Sequence, residues 1–218
     1  MQQSDTAGRI LHVAASLFAE QGFAETTMRQ ITAKAGVNLA AVNYHFGSKE
    51  RLILAVAETY ITPLLVNLTQ RLEERQALGG QTIALEELVE MMMRALLRVD
   101  GQTQDALAVF TRLLDLAYMG PQQALRDFLA DKYGLRLQPF LMQVRADSAP
   151  MNDDEFFWRL HFLLGSVVFT LSNFKTLSRM GQAPGEPGVD LERILHRMVP
   201  VLAAGLQARA ETTQFCWL

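Results

Sequence analysis

The sequence predicts an all-α protein in two parts. These are an N-terminal three-helix helix-turn-helix domain and a C-terminal helical bundle expected to bind a ligand and dimerise. Three observations lead there. Apolar residues recur at the i, i+3, i+4 spacing of a helix face through most of the chain, as in Leu85, Leu88, Val89, Met92, Leu96 and Val99. No segment shows the alternation of a strand, and no repeat or low-complexity tract interrupts the pattern. Within residues 26–51 the helical pattern is cut into short pieces by residues that cap and stop helices.

Helix 1 is expected from about Thr6 to Gln21, where Ile10, Val13, Ala14, Leu17 and Phe18 share a face. Gly22 stops it and Phe23 packs back beneath it. Thr27 and Gln30 have the spacing of a capping box, in which each side chain satisfies a backbone N–H. Helix 2 then carries Ile31 and Ala35 on one face. It ends at Gly36, where a left-handed backbone would strain a residue with a Cβ. Val37 is expected as a buried turn residue. Asn38 caps a short third helix, Leu39–Phe46, with Val42 and Phe46 on one side. Ser48 caps helix 4, which holds Lys49 in its first turn and carries Leu52, Ile53, Val56 and Tyr60. Pro63 is expected to kink or split it, before the pattern resumes at Leu64, Leu65, Leu68 and Leu72. Gly79-Gly80 marks a boundary.

Asp100-Gly101 ends the next helix, which begins after Thr82. Ala106–Ala117 forms another, stopped by Gly120, with Pro121 suited to a first helical position. Leu125 to Val144 follows, with Gly134 and Pro139 predicting a bend. Asn152 caps a helix over 152–178, with Asp153, Asp154 and Glu155 at its positive end. From Phe156 to Phe174 this helix is apolar on nearly every side, so it must be covered on every side. One side can face its own bundle; the other requires a partner, and Gly165 and Ser166 let a second helix come close. A Gly- and Pro-rich loop over 181–188 leads to a last helix from Asp190, with a bend at Pro200. Helices 152–178 and 190–210 meeting their symmetry mates predict a four-helix homodimer interface.

Helix, Gly-containing turn and short helix is the grammar of a DNA-reading helix-turn-helix. Small residues early in the second helix let its backbone enter the major groove, while Asn43, Tyr44 and His45 reach for base edges and phosphates. The net charge of −3 alone would argue against a nucleic-acid partner. Residues 26–51, however, hold Arg29, Lys34, Lys49 and Arg51 against only Glu50. A local basic patch can hold phosphates while an acidic remainder discourages indiscriminate binding. A dimer would set two reading helices about 34–36 Å apart, matching a near-palindromic double-stranded DNA operator.

The stretch TTMRQITAKAGVNLAAVNYHFGSKERL, residues 26–52, resembles the N-terminal domain of TetR-type (TetR/AcrR) transcriptional regulators. The family pattern T-x-R-x-I-A-x-x-A-G-V is present with Thr32 in place of the usual small residue, and Y-H-F-x-S-K-E-x-L is intact from Tyr44 to Leu52. The resemblance implies base- or groove-facing roles for Arg29, Asn38, Leu39, Ala40, Ala41, Asn43 and Tyr44. It implies phosphate contacts from Thr27, His45 and Lys49. Position 43 is usually aromatic in that family, so Asn43 suggests direct readout, as of adenine. The implied division is 1–47 for DNA binding and 48–218 for ligand binding and dimerisation, with helix 4 at 48–75 as the link.

Residues 111–145 and 156–180 resemble the PsrA-like subgroup, whose members repress or activate fatty-acid metabolism genes and respond to long-chain fatty acids or their acyl-CoA forms. This implies a ligand-responsive regulator, a repressor released by an acyl ligand. Phe110, Phe128, Tyr133, Phe140, Trp158 and Phe162 are candidates to line an elongated apolar cavity, although aromatic stripes also simply pack cores. Met91, Met92, Met93, Met119 and Met142 add adaptable surface. Arg112, Arg159 and His161 are candidates to anchor the head group.

No P-loop, Gly-rich dinucleotide turn or nucleophile elbow is present, so no enzyme is expected. His12, His161 and His196 lack metal-ligand spacing, and helix capping accounts for Asp153, Asp154 and Glu155; no metal or cofactor is expected. The lone Cys216 cannot staple the fold, which points to a reducing cytoplasm. No secretory signal is visible and no stretch is expected to span a membrane; the run Leu160–Leu171 is broken by His161, Gly165, Ser166 and Thr170. Two readings compete. A helical ligand carrier or enzyme with a chance helix pair predicts no salt-dependent DNA binding. A DNA-binding regulator with another apolar ligand or a protein partner predicts DNA binding that acyl compounds leave unchanged.

Overall fold

A computed structural model of the chain describes residues 2–79, 82–100, 106–118, 122–181 and 190–209. The described residues form α1 (Gln2–Gln21), α2 (Met28–Ala35), α3 (Leu39–Phe46), α4 (Lys49–Ala77) and α5 (Leu85–Asp100). They continue with α6 (Ala106–Tyr118), α7 (Gln123–Ala146), α8 (Asp153–Ser172), α9 (Phe174–Met180) and α10 (Leu191–Gln207). The fold is all-α, as its periodicity predicts, and no strand occurs among these residues. The stops expected at Gly80, Gly101, Gly120 and Pro121, the loop over 182–188, Met119 and Cys216 lie outside the described residues.

The chain forms two compact units. The first comprises residues 1–68 and 95–136. Here α1 packs on α2, α3 and α6, and α2 packs on α3. Ile10, Ala14 and Phe18 of α1, Ile31 of α2, Val42 of α3 and Leu52 of α4 are fully buried. The Phe18 and Phe23 rings lie 4.4 Å apart, so Phe23 does fold back beneath α1. Buried Thr26 donates its hydroxyl to the Gly22 carbonyl at 2.7 Å, tying the end of α1 to the entry of α2.

The second unit comprises residues 69–94 and 137–218. Within it α8 packs on α9 and α10. Leu195, Leu202, Ala203 and Leu206 form the buried face of α10. Ala84, the residue before α5, has no side chain that can cap. Instead the Leu85 N–H donates to Asp147 Oδ2 at 2.8 Å, a cap delivered from a distant part of the chain. Arg159, on α8, donates to the carbonyls of Gly205, Ala208 and Arg209 and pairs with Glu155 at 2.7 Å. It therefore closes the C-terminal end of α10, whose last carbonyls have no partner within the helix.

Four expectations are corrected. Helix α1 begins at Gln2 rather than Thr6, because the polar residues ahead of Thr6 include no helix breaker. Pro63 does not split α4, which runs unbroken for 29 residues. The segment 152–178 is two helices, α8 and α9, bent by 76°. At the break, both the Asn173 side chain and its backbone N–H donate to the Phe169 carbonyl, at 2.9 and 3.1 Å, and this local competition ends α8. Finally, α4 is long and apolar enough to cross a membrane by length and composition alone, contrary to the expectation that no stretch is. Its Leu52, Val56, Ala57, Leu68 and Leu72 are buried in protein, as in the core helix of a water-exposed fold.

Candidate DNA-reading site

The reading helix is fixed at both ends by its own sequence. Before α2, the Gln30 N–H donates to Thr27 Oγ1 at 3.2 Å and the Thr27 N–H donates to Gln30 Oε1 at 2.7 Å, the complete capping box. After α2, Gly36 adopts φ 63°, ψ 38°, and the Val37 N–H donates back to the Thr32 carbonyl at 3.1 Å. That left-handed turn is what allows α3 to start at a new angle. Asn38 Oδ1 then accepts the Ala41 N–H at 2.8 Å and starts α3. Val37 is half-buried rather than buried, since the turn leaves one of its sides open. Ser48 Oγ accepts the Arg51 N–H at 3.2 Å and starts α4.

Val42 anchors α3 with its side chain fully buried, while Asn38, Leu39, Ala40, Asn43 and Tyr44 are exposed. Tyr44 is 74% exposed, with its ring and hydroxyl open to solvent. The His45 ring meets Tyr44 edge-on at 5.2 Å, and His45, Ala41 and Lys49 are half-buried beside this face. Thr27 and Arg29 of the preceding helix are exposed. Sequence reasoning missed two features. Lys34 does not extend outward but bridges Glu20 of α1 at 3.0 Å, holding the Glu20 carboxyl below its usual range mainly through that hydrogen bond. Arg51 lies across Gly47 at the end of α3, with Cδ and Nη1 each 3.7 Å from where a Cβ would stand. Only the glycine at φ 76° signalled that approach.

A short capped helix presented outward on a three-helix support is the geometry of a helix-turn-helix DNA-binding protein. Residues 10–56 match the family model of bacterial regulatory proteins, tetR family, and residues 90–205 match that of the tetracyclin repressor-like C-terminal domain. The chain belongs to the TetR family of DNA-binding transcriptional regulators. It is 28% identical over 79% of its length to 79% of the HTH-type transcriptional dual regulator CecR of Shigella flexneri. It is 33% identical over 62% of its length to 74% of the HTH-type transcriptional repressor Rv3405c of Mycobacterium tuberculosis. Its fold is similar to that of a tetR family transcription regulator from Shewanella sp. PV-4, with a TM-score of 0.63 and 19% identity, covering 94% of this chain and 99% of that one. These relatives are regulators rather than enzymes.

The residues expected at a ligand site fall in both units. In the first, Phe110 and Tyr133 are buried, Phe128 is half-buried, and the Phe128 and Tyr133 rings meet edge-on at 6.2 Å. Arg112 is exposed; it lies one turn before Asp115, whose carboxyl is pushed up by partial burial against the opposing charge of Arg112. In the second, Phe140 is buried, but Trp158 and Phe162 are 51% and 66% exposed with rings stacked at 6.1 Å. His161 Nδ1 lies 2.7 Å from the Phe157 carbonyl. Arg159 donates to the carbonyls at the end of α10.

Proposed function

We propose that the protein is a homodimeric repressor that binds a near-palindromic operator and is released by a long-chain fatty acid or its CoA ester. Residues 1–47 would read DNA, residues 48–75 would link, and the remainder through 218 would sense and dimerise. The observation that carries the DNA half is the exposed face of α3, with Tyr44 open to solvent and Val42 holding the helix from behind. Leu39, Ala40, Ala41, Asn43 and Tyr44 would face the groove with Arg29 and Asn38, while Thr27, His45 and Lys49 would meet phosphates. The name of the mycobacterial relative supports the repressor role.

Dimerisation is supported by α8. Trp158, Phe162, Gly165, Ser166 and Phe169 are all exposed, and their spacing sets them in one stripe along the helix. A Cβ at Gly165 would meet nothing within 4 Å, so the stripe has a flat place for a second helix. On α10, Arg197, Val201 and Ala204 are likewise exposed in line. Trp158 and Phe162 therefore suit the dimer face better than a ligand cavity. In the first unit Phe110, Phe128 and Tyr133 remain candidates for an apolar ligand, with Arg112 for its polar end; Phe140 and His161, the other candidates, belong to the second unit. The acyl ligand rests on the resemblance of residues 111–145 and 156–180 to fatty-acid-responsive regulators. Release follows from linkage: a ligand that prefers a protein state with misplaced reading helices weakens DNA binding by the ratio of its two affinities, typically about 1–3 kcal/mol.

The test is fluorescence anisotropy of the protein on DNA from its own upstream region, with and without a long-chain fatty acid and its CoA ester. Tight, salt-sensitive binding released by one of them is expected. Binding that neither changes would remove the acyl ligand and leave a regulator with another effector. Failure to select any operator from random DNA would remove the DNA-binding reading.

A further inference from the structure

Helix α4 has a weak turn built into it. Pro63 has no N–H, so the Thr59 carbonyl cannot receive the usual i+4 bond. The Thr59 hydroxyl also donates to the Ala55 carbonyl at 2.9 Å, a side-chain competition that loosens and bends helices. The backbone ladder is thus weakened over 55–63, between the start of α4 beside α3 and the rest of the helix.

Across this weak turn sits a clasp from α7. The Thr62 and Tyr133 hydroxyls are 2.8 Å apart. One turn earlier on α4, Glu58 pairs with Lys132 at 2.5 Å. The Lys132 ammonium lies over the Phe128 ring at 5.3 Å, and Phe128 in turn meets Tyr133 edge-on at 6.2 Å. Tyr133 is 6% exposed and its hydroxyl bond to half-buried Thr62 is partly sheltered from water, whereas the Glu58 pair is half open. A buried ring with its one polar atom committed to a partner has little freedom to move. The two ties flank the position where the backbone itself gives least resistance.

We infer that Thr62 and Tyr133 are positioning residues for DNA binding: their bond holds the turn of α4 around Pro63, and with it the placement of α3. The inference rests on the DNA-binding reading above. Restraining a flexible turn before DNA arrives lowers the ordering cost of binding, so the clasped form is the DNA-competent one. A ligand that pulls Tyr133 from Thr62 would lower operator affinity without touching α1–α3.

The test uses Tyr133→Phe and Thr62→Val, which delete one hydroxyl each at nearly constant shape, with Thr62→Ser as the variant that keeps the bond. Two readouts are taken on the full chain: hydrogen exchange of peptides covering residues 59–67, and operator affinity. Both deletions are expected to speed exchange in that segment and weaken operator binding roughly 3–10-fold, the factor an ordinary hydrogen bond supports. The double variant should be no worse than either single one, because both remove the same bond. Thr62→Ser should match the unsubstituted protein. Unchanged exchange in residues 59–67 overturns the inference whether or not an operator is bound. Faster exchange with unchanged or tighter operator binding also overturns it, leaving a bond that only stabilises the fold. If the unsubstituted protein binds no DNA, the regulatory reading fails separately, and the exchange data still decide whether the clasp holds the turn.

Discussion

Single residues cap the short helices around α3, and single residues on its exposed face are the ones to test for sequence readout. Thr27→Ala removes the hydroxyl that accepts the Gln30 N–H, one of the two bonds of the capping box, and should cost about 1 kcal/mol, read as a lower midpoint in urea without loss of helix content. Asn43 is the residue to probe for sequence readout. It is exposed on the reading face, and an amide can pair bidentately with adenine for about 1–3 kcal/mol of discrimination. Asn43→Ala should therefore flatten base preference at one position in a binding-site selection while leaving the others in place. An unchanged ranking of operator variants would sink the readout role. Lys34 teaches the opposite lesson. Its charge counts toward a basic patch in the sequence, yet its ammonium serves as a strut to Glu20 between α1 and α2.

At the scale of elements, helix ends distinguish local from distant control. α2 and α3 are capped by residues adjacent in sequence, and α8 by Asn152, whose Oδ1 accepts the Glu155 N–H at 2.8 Å. α5 and the C-terminal end of α10 are closed by Asp147 and Arg159 from elsewhere in the chain. Asp147→Ala should then lower stability by roughly 1–2 kcal/mol through lost capping of a helix N-terminus. The measurement is a thermal melt combined with hydrogen exchange, where the first turn of α5 should lose protection before the helices of the other unit. Equal exchange in both units would refute this local account. The contact of α1 with α6 likewise gives the three-helix support a neighbour beyond α4, a route by which change in α6 would reach α1.

For the whole molecule the decisive quantity is assembly. The stripe from Trp158 to Phe169 exposes large aromatic side chains, an arrangement costly in water unless a partner covers it. If α8 dimerises as proposed, Phe162→Glu should leave the chain monomeric in sedimentation equilibrium, because it puts a charge into the apolar stripe that the partner would cover. The same variant should weaken operator binding at least about 10-fold, since a monomer engages one half-site and loses the benefit of linkage. A variant that stays dimeric would place the interface elsewhere. A matched substitution at exposed Leu135, on α7, should leave both readouts unchanged.

What the sequence determined by itself was whatever depends on near neighbours. Thr27 with Gln30, Gly36, Asn38 and Ser48 specify the helix-turn-helix within about four residues of each bond they make, so its bounds were legible. Periodicity likewise determined that the chain is all-α, and the apolar run of α8 announced a helix needing cover. Only the tertiary structure decided where aromatic residues of similar appearance belong. Tyr133 is buried with its hydroxyl on Thr62, while Phe162 stands on the outer stripe of α8. It also showed Arg159 used as a cap, Lys34 as a strut, and α4 continuous through Pro63. The physical reason is range: caps, stops and helical periodicity act over one or two turns, whereas burial and the pairing of charges depend on residues that only folding brings within reach.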